Sequence, residues 1–149
     1  MNETMSLWHD EMRLDYPPLD EEHVDFFKTV MRAAPAASSA DFKTMDKVFL
    51  KCYDYARNHF AHEEDIMERI DFPDMVEHMK SHQMFIKHIS DFRTAYEKAV
   101  SLEEKQRVSI QTAEFLEVWF VGHLMSRDRL LKPYLVRLRN LPPRMEYHQ

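Results

Sequence analysis

Seven residues with side chains that bind metal ions recur at the spacing of inward-facing helix positions. Five are histidines and two are carboxylates: His23, His59, Glu63, His78, His82, His123 and Asp128. Such positions usually hold apolar residues, and burying an unpaired polar group costs roughly 1–3 kcal/mol. Seven of them would cost on the order of 10 kcal/mol, which rivals the stability of a whole domain. The pattern therefore predicts a bound ligand that satisfies all seven.

Helical periodicity places these residues on inward faces. Between residues 45 and 70, apolar residues follow one another at alternating steps of four and three, and His59 and Glu63 fall on the same steps. The remaining four histidines follow these steps in three other segments. Each of four predicted helices therefore contributes at least one inward-facing histidine.

Asp128 departs from this spacing because it follows His123 by five residues. Five residues turn about 140° around an ideal α-helix, so the two side chains should point in different directions. We expect the helix to widen into a π-turn or to fray between them, as often happens at functional sites. Gly122, the only glycine in the chain, adjoins this point. It indicates either close packing of two helices or a part in the distortion.

The donor set favours two ions of iron or manganese. Five imidazoles and two carboxylates are too many for one four-coordinate zinc ion, and structural zinc sites commonly use thiolates, which are missing from this set. Nitrogen and oxygen donors suit iron and manganese. Glu63 and Asp128 could each bridge both ions, leaving three histidines for one ion and two for the other. The ion with two histidines would keep a vacant coordination position.

Composition narrows the class of protein. A chain of 149 residues fits one domain with its own core. Its formal charge of −6 argues against a nucleic-acid partner. A start without the features of a signal peptide and the lack of a long apolar run predict a soluble cytoplasmic protein with no membrane association. Cys52 is the sole cysteine, and its spacing predicts a small core residue.

The sequence predicts an all-α fold, specifically an antiparallel up-down-up-down four-helix bundle with an N-terminal arm and a short C-terminal helical extension. Glycine is scarce, and the three-four periodicity is long. Short connectors favour antiparallel neighbours. We expect a single domain over residues 1–149, with an arm at 1–18, the bundle at 19–131 and the extension at 132–149. Trp8 should anchor the arm on the bundle.

Prolines predict the ends of the first helix. It should begin near Leu19, because Pro17 and Pro18 disfavour an earlier start, and it should end before Pro35. The second helix should span about residues 41–70. Pro73 should lie in the first turn of the third helix, which should reach about residue 100.

Ser101 and Glu104 predict a capping box at the start of the fourth helix. This helix should continue to about residue 131. Pro133 should separate it from a short terminal helix, and the last nine residues should be loosely held.

Several of these motifs together resemble the hemerythrin family, particularly the bacterial hemerythrins. They are Leu-Asp-Glu-Glu-His at 19–23, His59-Phe60 with Glu63-Glu64, His78 with His82, and Trp119-Phe120 with His123 and Asp128. The resemblance extends from Trp8 to about Asp128 and includes the five-residue step at its end.

The resemblance implies a non-haem di-iron centre that cycles between Fe2+ and Fe3+. It assigns His78, His82 and His123 to one iron and His23 and His59 to the other, with the carboxylates Glu63 and Asp128 and a solvent-derived oxo or hydroxo oxygen as bridges. The function that it implies is reversible dioxygen binding, for oxygen storage, delivery or sensing.

Two other functions compete with oxygen binding. The same site could belong to a redox enzyme that handles peroxide or nitric oxide, or to an iron- or oxygen-responsive regulatory module. Carriage is favoured because this chain has no attached output domain. An enzyme would also need an ionisable group for proton delivery, and the inward positions around Phe120 hold none. We therefore expect a protein that binds dioxygen without turnover; a protein partner is not indicated.

Trp119 and Phe120 are candidates to line an oxygen pocket, with ordinary core packing as the alternative. The family usually has leucine where Phe120 stands, so this residue should influence oxygen release or oxidation. Bacterial members commonly carry glycine and an aliphatic residue where this chain has Asp15 and Tyr16, which affects the path of the arm.

The other histidines and one further carboxylate are not predicted to bind metal. His9, His62, His88 and His148 lie outside the set. His62 and Glu64 adjoin Glu63 in the sequence, but this adjacency turns them away from the inward face, so we expect both to be solvated.

Overall fold

Four long helices form the protein in a computed structural model, which describes residues 8–140. The first, α1, is Pro17–Ser38; the second, α2, runs through an α-helical part, Phe42–Asp54, a π-helical turn, Tyr55–Phe60, and a further α-helical part, Ala61–Arg69. Helix α3 is Met75–Lys98 and α4 is Leu102–Ser126. Short 3-10 helices, Asp10–Met12, Asp128–Leu131 and Val136–Asn140, and a short helix α5, Lys132–Leu135, complete the described chain.

The helices form the predicted antiparallel bundle. Helix α1 packs against α2 and α4, and α3 packs against the same two helices. The connectors 39–41, 70–74 and 99–101 are short, so each helix runs antiparallel to the one before it. Residues 8–140 contain no strand, and none of their helices is both long and apolar enough to cross a membrane. The all-α prediction is confirmed, whereas the domain boundaries stay a prediction.

Helix α1 is longer at both ends than predicted. It begins at Pro17, because the first N–H groups of a helix have no helical acceptor and proline loses nothing there. It also continues through Pro35 to Ser38. Proline removes one hydrogen bond in the last turns of the helix, but the alanines around it are buried against the core and keep the backbone helical.

Helix α1 ends without the usual glycine. The Asp41 N–H donates to the Ala36 carbonyl at 2.8 Å, and the Ala40 N–H donates to the Ala37 carbonyl at 3.2 Å. This pair of bonds is a Schellman motif, which requires a left-handed residue after the helix. Ala40 fills that position with φ 54°. A residue with a Cβ is strained in this conformation.

Side-chain caps mark the starts of α2 and α4. Asp41 accepts from the Thr44 N–H and begins α2, close to the predicted start. Ser101 accepts from the Glu104 N–H at 3.0 Å, as a capping box requires. The Glu104 carboxylate reaches the N–H of Val100 instead of that of Ser101. The capping box therefore differs from the usual one in its second hydrogen bond, which comes from the residue before the cap.

Two further predicted ends, those of α3 and α4, are also wrong. Pro73 precedes α3, which begins at Met75 after the cap residue Asp74, so proline lies in the connecting turn and not in the helix. Helix α4 ends at Ser126, and the 3-10 helix that follows continues to Leu131.

Apolar packing is divided between two clusters. The larger contains the buried aromatic residues of all four helices, and the smaller contains Leu14, Leu19, Ile66, Leu131 and Leu135 among others. Along the chain, His23 lies between Leu19 of the smaller cluster and Phe26 of the larger, and Glu63 and Asp128 likewise lie between residues of the two clusters. The smaller cluster therefore packs beyond a polar layer.

The arm and the extension both pack against the bundle and meet at Asp15 and Lys132, which form an ion pair. The Trp8 ring packs edge-on against Phe27, with ring centroids 5.5 Å apart. The Asp20 carboxylate accepts from the Leu14 N–H at 2.8 Å and so ties the arm to α1. In the extension, Arg137 donates to the Ile70 carbonyl at 3.0 Å. The predicted loose end, residues 141–149, lies outside the described residues.

Candidate metal site

All seven predicted ligands meet in the polar layer and are buried there. Their residues are at most 6% exposed. His23 comes from α1, His59 from the π-helical turn, Glu63 from α2, His78 and His82 from α3, His123 from α4 and Asp128 from the following 3-10 helix. Every long helix thus contributes, as the spacing predicted.

The seven residues form two groups that share both carboxylates. One group is Glu63, His78, His82, His123 and Asp128, and the other is His23, His59, Glu63 and Asp128. Within each group, one potential ligand atom per residue lies within 4.8 Å of all the others. The grouping by space is the same as the division into three and two histidines expected from the sequence.

Glu63 presents a different oxygen to each group. Its Oε1 lies 3.0 Å from Nε2 of His82 and also contacts Nε2 of His78. Its Oε2 lies 3.1 Å from Nε2 of His59 and 3.6 Å from Nε2 of His23. The carboxylate is therefore placed as a bridging ligand would be.

Asp128 repeats this arrangement. Its Oδ1 lies 3.0 Å from Nε2 of His78 and 3.1 Å from Nε2 of His123, and its Oδ2 lies 3.2 Å from Nε2 of His23. It can face the same way as His123 because α4 ends at Ser126 between them.

The predicted irregularity therefore takes the form of a helix end, and the segment between His123 and Asp128 contains no π-turn. A Cβ added to Gly122 would meet nothing within 4 Å, so the close-packing interpretation of this glycine is wrong.

A π-helical turn does exist, but in α2 at Tyr55–Phe60. It brings both Tyr55 and Phe60 to the buried side, whereas Ala56, which the spacing placed inward, is half-buried. The Tyr55 ring stacks on His59 at 4.4 Å between centroids, and the Phe60 ring stacks on His82 at 3.9 Å. The three-four steps missed these two residues because the inserted turn widens the inward face.

Carboxylates outside the set orient two of the histidines. His59 Nδ1 lies 2.6 Å from Glu22 Oε1, and His82 Nδ1 lies 2.9 Å from Glu64 Oε2. Such bonds fix the ring and turn its other nitrogen, Nε2, toward the centre of the site. The expectation that Glu64 is only solvated is therefore wrong. Glu22 was missed, although its place beside His23 in the matching motif could have pointed to it.

Ser81 supports a third histidine, with its Oγ 2.7 Å from His123 Nδ1. His62 does lie outside both groups, but it is half-buried and its Nδ1 is 2.9 Å from Glu22 Oε2. Glu22 therefore lies between His59 and His62. Neither His9, which is exposed, nor His88, which packs against a phenylalanine of α4, belongs to either group; His148 lies outside the described residues.

Trp119 and Phe120 flank different halves of the site. The Trp119 ring stacks on His123, with centroids 4.4 Å apart and planes 10° from parallel. The Phe120 ring lies 6.5 Å from the ring of His23 and 5.7 Å from Phe26. Phe120 is therefore the residue of the pair that lies against the two-histidine group.

The carboxylates and histidines of the site shift one another's pKa values. Burial disfavours the charged imidazolium, but hydrogen bonds and charges from Asp128 and Glu63 outweigh burial and raise the pKa of His23 to about 10 and that of His78 to about 9. Burial likewise opposes the ionised carboxylates, yet the surrounding histidines hold the pKa of Glu63 and that of Asp128 below their ordinary values. Protons would therefore compete with any cation for these residues.

Unsatisfied atoms indicate that the residues fit metal ions. Among the described residues, five buried side-chain atoms have no hydrogen-bond partner: His23 Nδ1, Glu63 Oε2, His78 Nδ1, His123 Nε2 and Asp128 Oδ1. Three of these atoms, Glu63 Oε2, His123 Nε2 and Asp128 Oδ1, face the shared centre, close to histidine or carboxylate atoms but without hydrogen-bond geometry. A cation would satisfy them, and their nitrogen and oxygen chemistry suits iron.

Comparison with known proteins agrees with this geometry. Bacteriohemerythrin of Stenotrophomonas maltophilia (strain R551-3) is 23% identical over 123 residues, which are 83% of this chain and 76% of that protein. Bacteriohemerythrin of Clostridium acetobutylicum is 25% identical over 130 residues, covering 84% and 97% of the two chains. Myohemerythrin of Riftia pachyptila is 28% identical over 123 residues, covering 82% and 87%.

A family model described as the hemerythrin HHE cation binding domain matches residues 15–135. Hemerythrins are a family of non-haem iron proteins that bind dioxygen. The match covers most of the chain and all seven residues of the site. The chain therefore belongs to the hemerythrin family.

Proposed function

We propose that this protein binds dioxygen reversibly at a pair of iron ions, for oxygen storage, delivery or sensing. The observation that carries the proposal is that the two oxygens of each shared carboxylate face different groups of histidines. Glu63 and Asp128 each direct one oxygen to the three-histidine group and the other to the two-histidine group. This arrangement suits two adjacent ions held by common ligands.

The donor atoms divide unequally between the two ions. His78, His82 and His123 would hold one ion and His23 and His59 the other, with Glu63 and Asp128 common to both. When bound, the iron pair supplies the electrons that dioxygen takes up. The group with fewer histidines is the side on which dioxygen would bind.

The protein's part is to orient the imidazoles and to keep the site dry. Glu22, Glu64 and Ser81 hold the outer nitrogens of three histidines. Aromatic rings pack beside the two-histidine group, where Phe26 stacks on Tyr55 at 3.9 Å and Phe120 lies beside both. Excluding water protects a bound gas molecule from side reactions.

Binding without turnover is also part of the proposal. The sequence indicated no ionisable group near the vacant side, but the Tyr55 phenol stacks on His59 there. Burial, with the negative charges of Asp128, Glu63 and Glu22, raises the pKa of Tyr55 well above its ordinary value. The phenol therefore stays neutral and does not readily release its proton.

The test is to load the protein with ferrous iron without air, count the bound iron, and then admit dioxygen. We expect two iron ions per chain and an absorption band that appears with dioxygen and disappears when it is removed. Bound iron with continuous consumption of peroxide or nitric oxide would instead indicate an enzyme. A single iron ion per chain would overturn the proposal.

A further inference from the structure

A cavity of about 280 Å³ lies between α1 and α2 and reaches the two-histidine group from the surface. Its mouth includes Asp25, Lys51 and Asp54, which are exposed. Its inner wall includes Tyr55 and His59, which are buried. A larger cavity, about 670 Å³, lies beside the arm and is lined by none of the seven candidate ligands.

The charged side chains that line the smaller cavity are mostly acidic. Three carboxylates, Glu22, Asp25 and Asp54, line it together with one ammonium group, that of Lys51. The Glu22 carboxylate lies at the inner end, 2.6 Å from His59 Nδ1 and 2.9 Å from His62 Nδ1. With three carboxylates against one ammonium group, the cavity attracts cations and repels anions.

Glu22 connects this cavity directly to the site. Its side chain is 36% exposed, yet its Oε1 lies 2.6 Å from Nδ1 of the buried His59. Aromatic rings stack on histidines at both faces, Tyr55 on His59 and Phe60 on His82. What distinguishes the Glu22 face is the cavity itself, in which three carboxylates line the approach to His59.

We propose that this acidic cavity is the entry route for the divalent metal ion, which Asp25 and Asp54 attract and which passes Glu22 to reach His59. The inference rests on the proposed metal site. It assigns to Asp25 and Asp54 a kinetic role, because neither belongs to the two ligand groups. Removing their charges should slow metal uptake without changing how much metal is bound at equilibrium.

The test uses the full-length metal-free protein mixed with excess Co2+ in a stopped-flow instrument, with uptake followed by the visible absorption of protein-bound Co2+. The double variant Asp25→Asn with Asp54→Asn should take up Co2+ about three- to tenfold more slowly, with a weaker dependence on salt. Lys51→Glu should accelerate uptake. Circular dichroism and the urea midpoint of this variant should match those of the unchanged protein, which excludes a loosened fold as the cause of faster uptake.

Glu68→Gln, an exposed carboxylate in the last part of α2 that does not line the cavity, is the control for overall charge. It should leave the rate unchanged within about twofold. Equal slowing by this control and by the double variant, or no acceleration by Lys51→Glu, would overturn the entry route. If two Co2+ ions still bind in that case, only the entry route is overturned and the proposed site stands. If neither the unchanged protein nor any variant binds two Co2+ ions, the proposed site itself is overturned.

Discussion

Phe120 lies against the two-histidine group, and its size should control how well water is excluded there. Phe120→Leu would leave the seven candidate ligands in place but shorten the side chain that lies near His23 and Phe26. We expect the iron content to be unchanged and the oxidation of the oxygen-bound protein in air to become several-fold faster. The measurement is the decay of the oxygen-dependent absorption band.

Phe115→Leu is the matched control, because Phe115 is a half-buried phenylalanine of the same helix that contacts His88 and Phe92 and none of the seven. Its oxidation rate should equal that of the unchanged protein. Identical rates for all three proteins would show that Phe120 does not control access.

Glu64 should strengthen metal binding through His82. Glu64→Gln keeps an oxygen that can accept from His82 Nδ1 but removes the negative charge that makes the imidazole a better donor. We expect metal affinity to fall by about tenfold, measured by competition with a chelator of known affinity. Glu68→Gln, which alters an exposed carboxylate one turn further along, should bind as the unchanged protein does.

The seven candidate ligands could be predicted from the sequence because helical steps decide which face a residue occupies. Periodicity does not decide which neighbour a side chain meets. Glu22 and Glu64 adjoin candidate ligands in the sequence, and only the packing of α1 on α2 and of α2 on α3 brings them to His59 and His82. Contacts made by exposed or half-exposed residues between helices are therefore what the sequence left open.

At the scale of elements, the end of α1 stores conformational strain at Ala40. Its φ of 54° costs a residue with a Cβ about 1–2 kcal/mol, which glycine avoids. Glycine loses part of this gain through its greater freedom in the unfolded chain. We expect Ala40→Gly to raise the free energy of unfolding by about 0.5–1 kcal/mol, measured by urea denaturation.

Ala95→Gly is the control, since Ala95 is an exposed residue in the interior of α3. The same substitution there should lower the free energy of unfolding by about 1 kcal/mol. Two changes of the same sign would show that the backbone at residue 40 does not have the conformation described.

Helix ends and irregular turns were the least predictable elements. Pro35 was expected to stop α1, but burial of the neighbouring alanines outweighs the hydrogen bond that proline removes. The π-helical turn at Tyr55–Phe60 was not foreseen, because His59 and Glu63 are four residues apart whether or not a turn widens just before them. Local irregularity was expected at Asp128, where the five-residue spacing made it visible.

At the scale of the whole molecule, metal should connect two apolar clusters that a charged layer separates. Within residues 8–140, the smaller cluster contains eight buried residues and lies beyond this layer. Removing the metal should therefore increase hydrogen exchange most in the segments of the smaller cluster, around Leu19, Ile66 and Leu131. Mass spectrometry of the loaded and metal-free proteins would measure this difference. Equal changes around Met45, in the larger cluster, would contradict it.

As pH rises, the stability of the metal-free protein should fall, whereas the stabilisation added by bound metal should grow. In the metal-free protein, the pKa of His23 is raised to about 10 and that of His78 to about 9. The resulting ion pairs stabilise the fold fully below about pH 6.5, the ordinary histidine pKa, and this contribution is lost as pH rises through 9–10. Metal binding instead improves as histidines lose protons.

We therefore expect the urea midpoint of the metal-free protein to fall between pH 7 and 10, while the added stability given by metal grows. Denaturation of both forms across this range, with unfolding monitored by circular dichroism, is the measurement. A midpoint of the metal-free protein that stays constant or rises would contradict the assignment of protonated histidines to the site.

Asp128 links the metal site to the C-terminal extension. It opens the 3-10 helix whose last residue, Leu131, packs in the smaller cluster and leads directly into α5. Arg137, further along, is bound to the Ile70 carbonyl at the end of α2. A displacement of the extension, for example by a bound molecule, would therefore move a carboxylate that is common to both ligand groups.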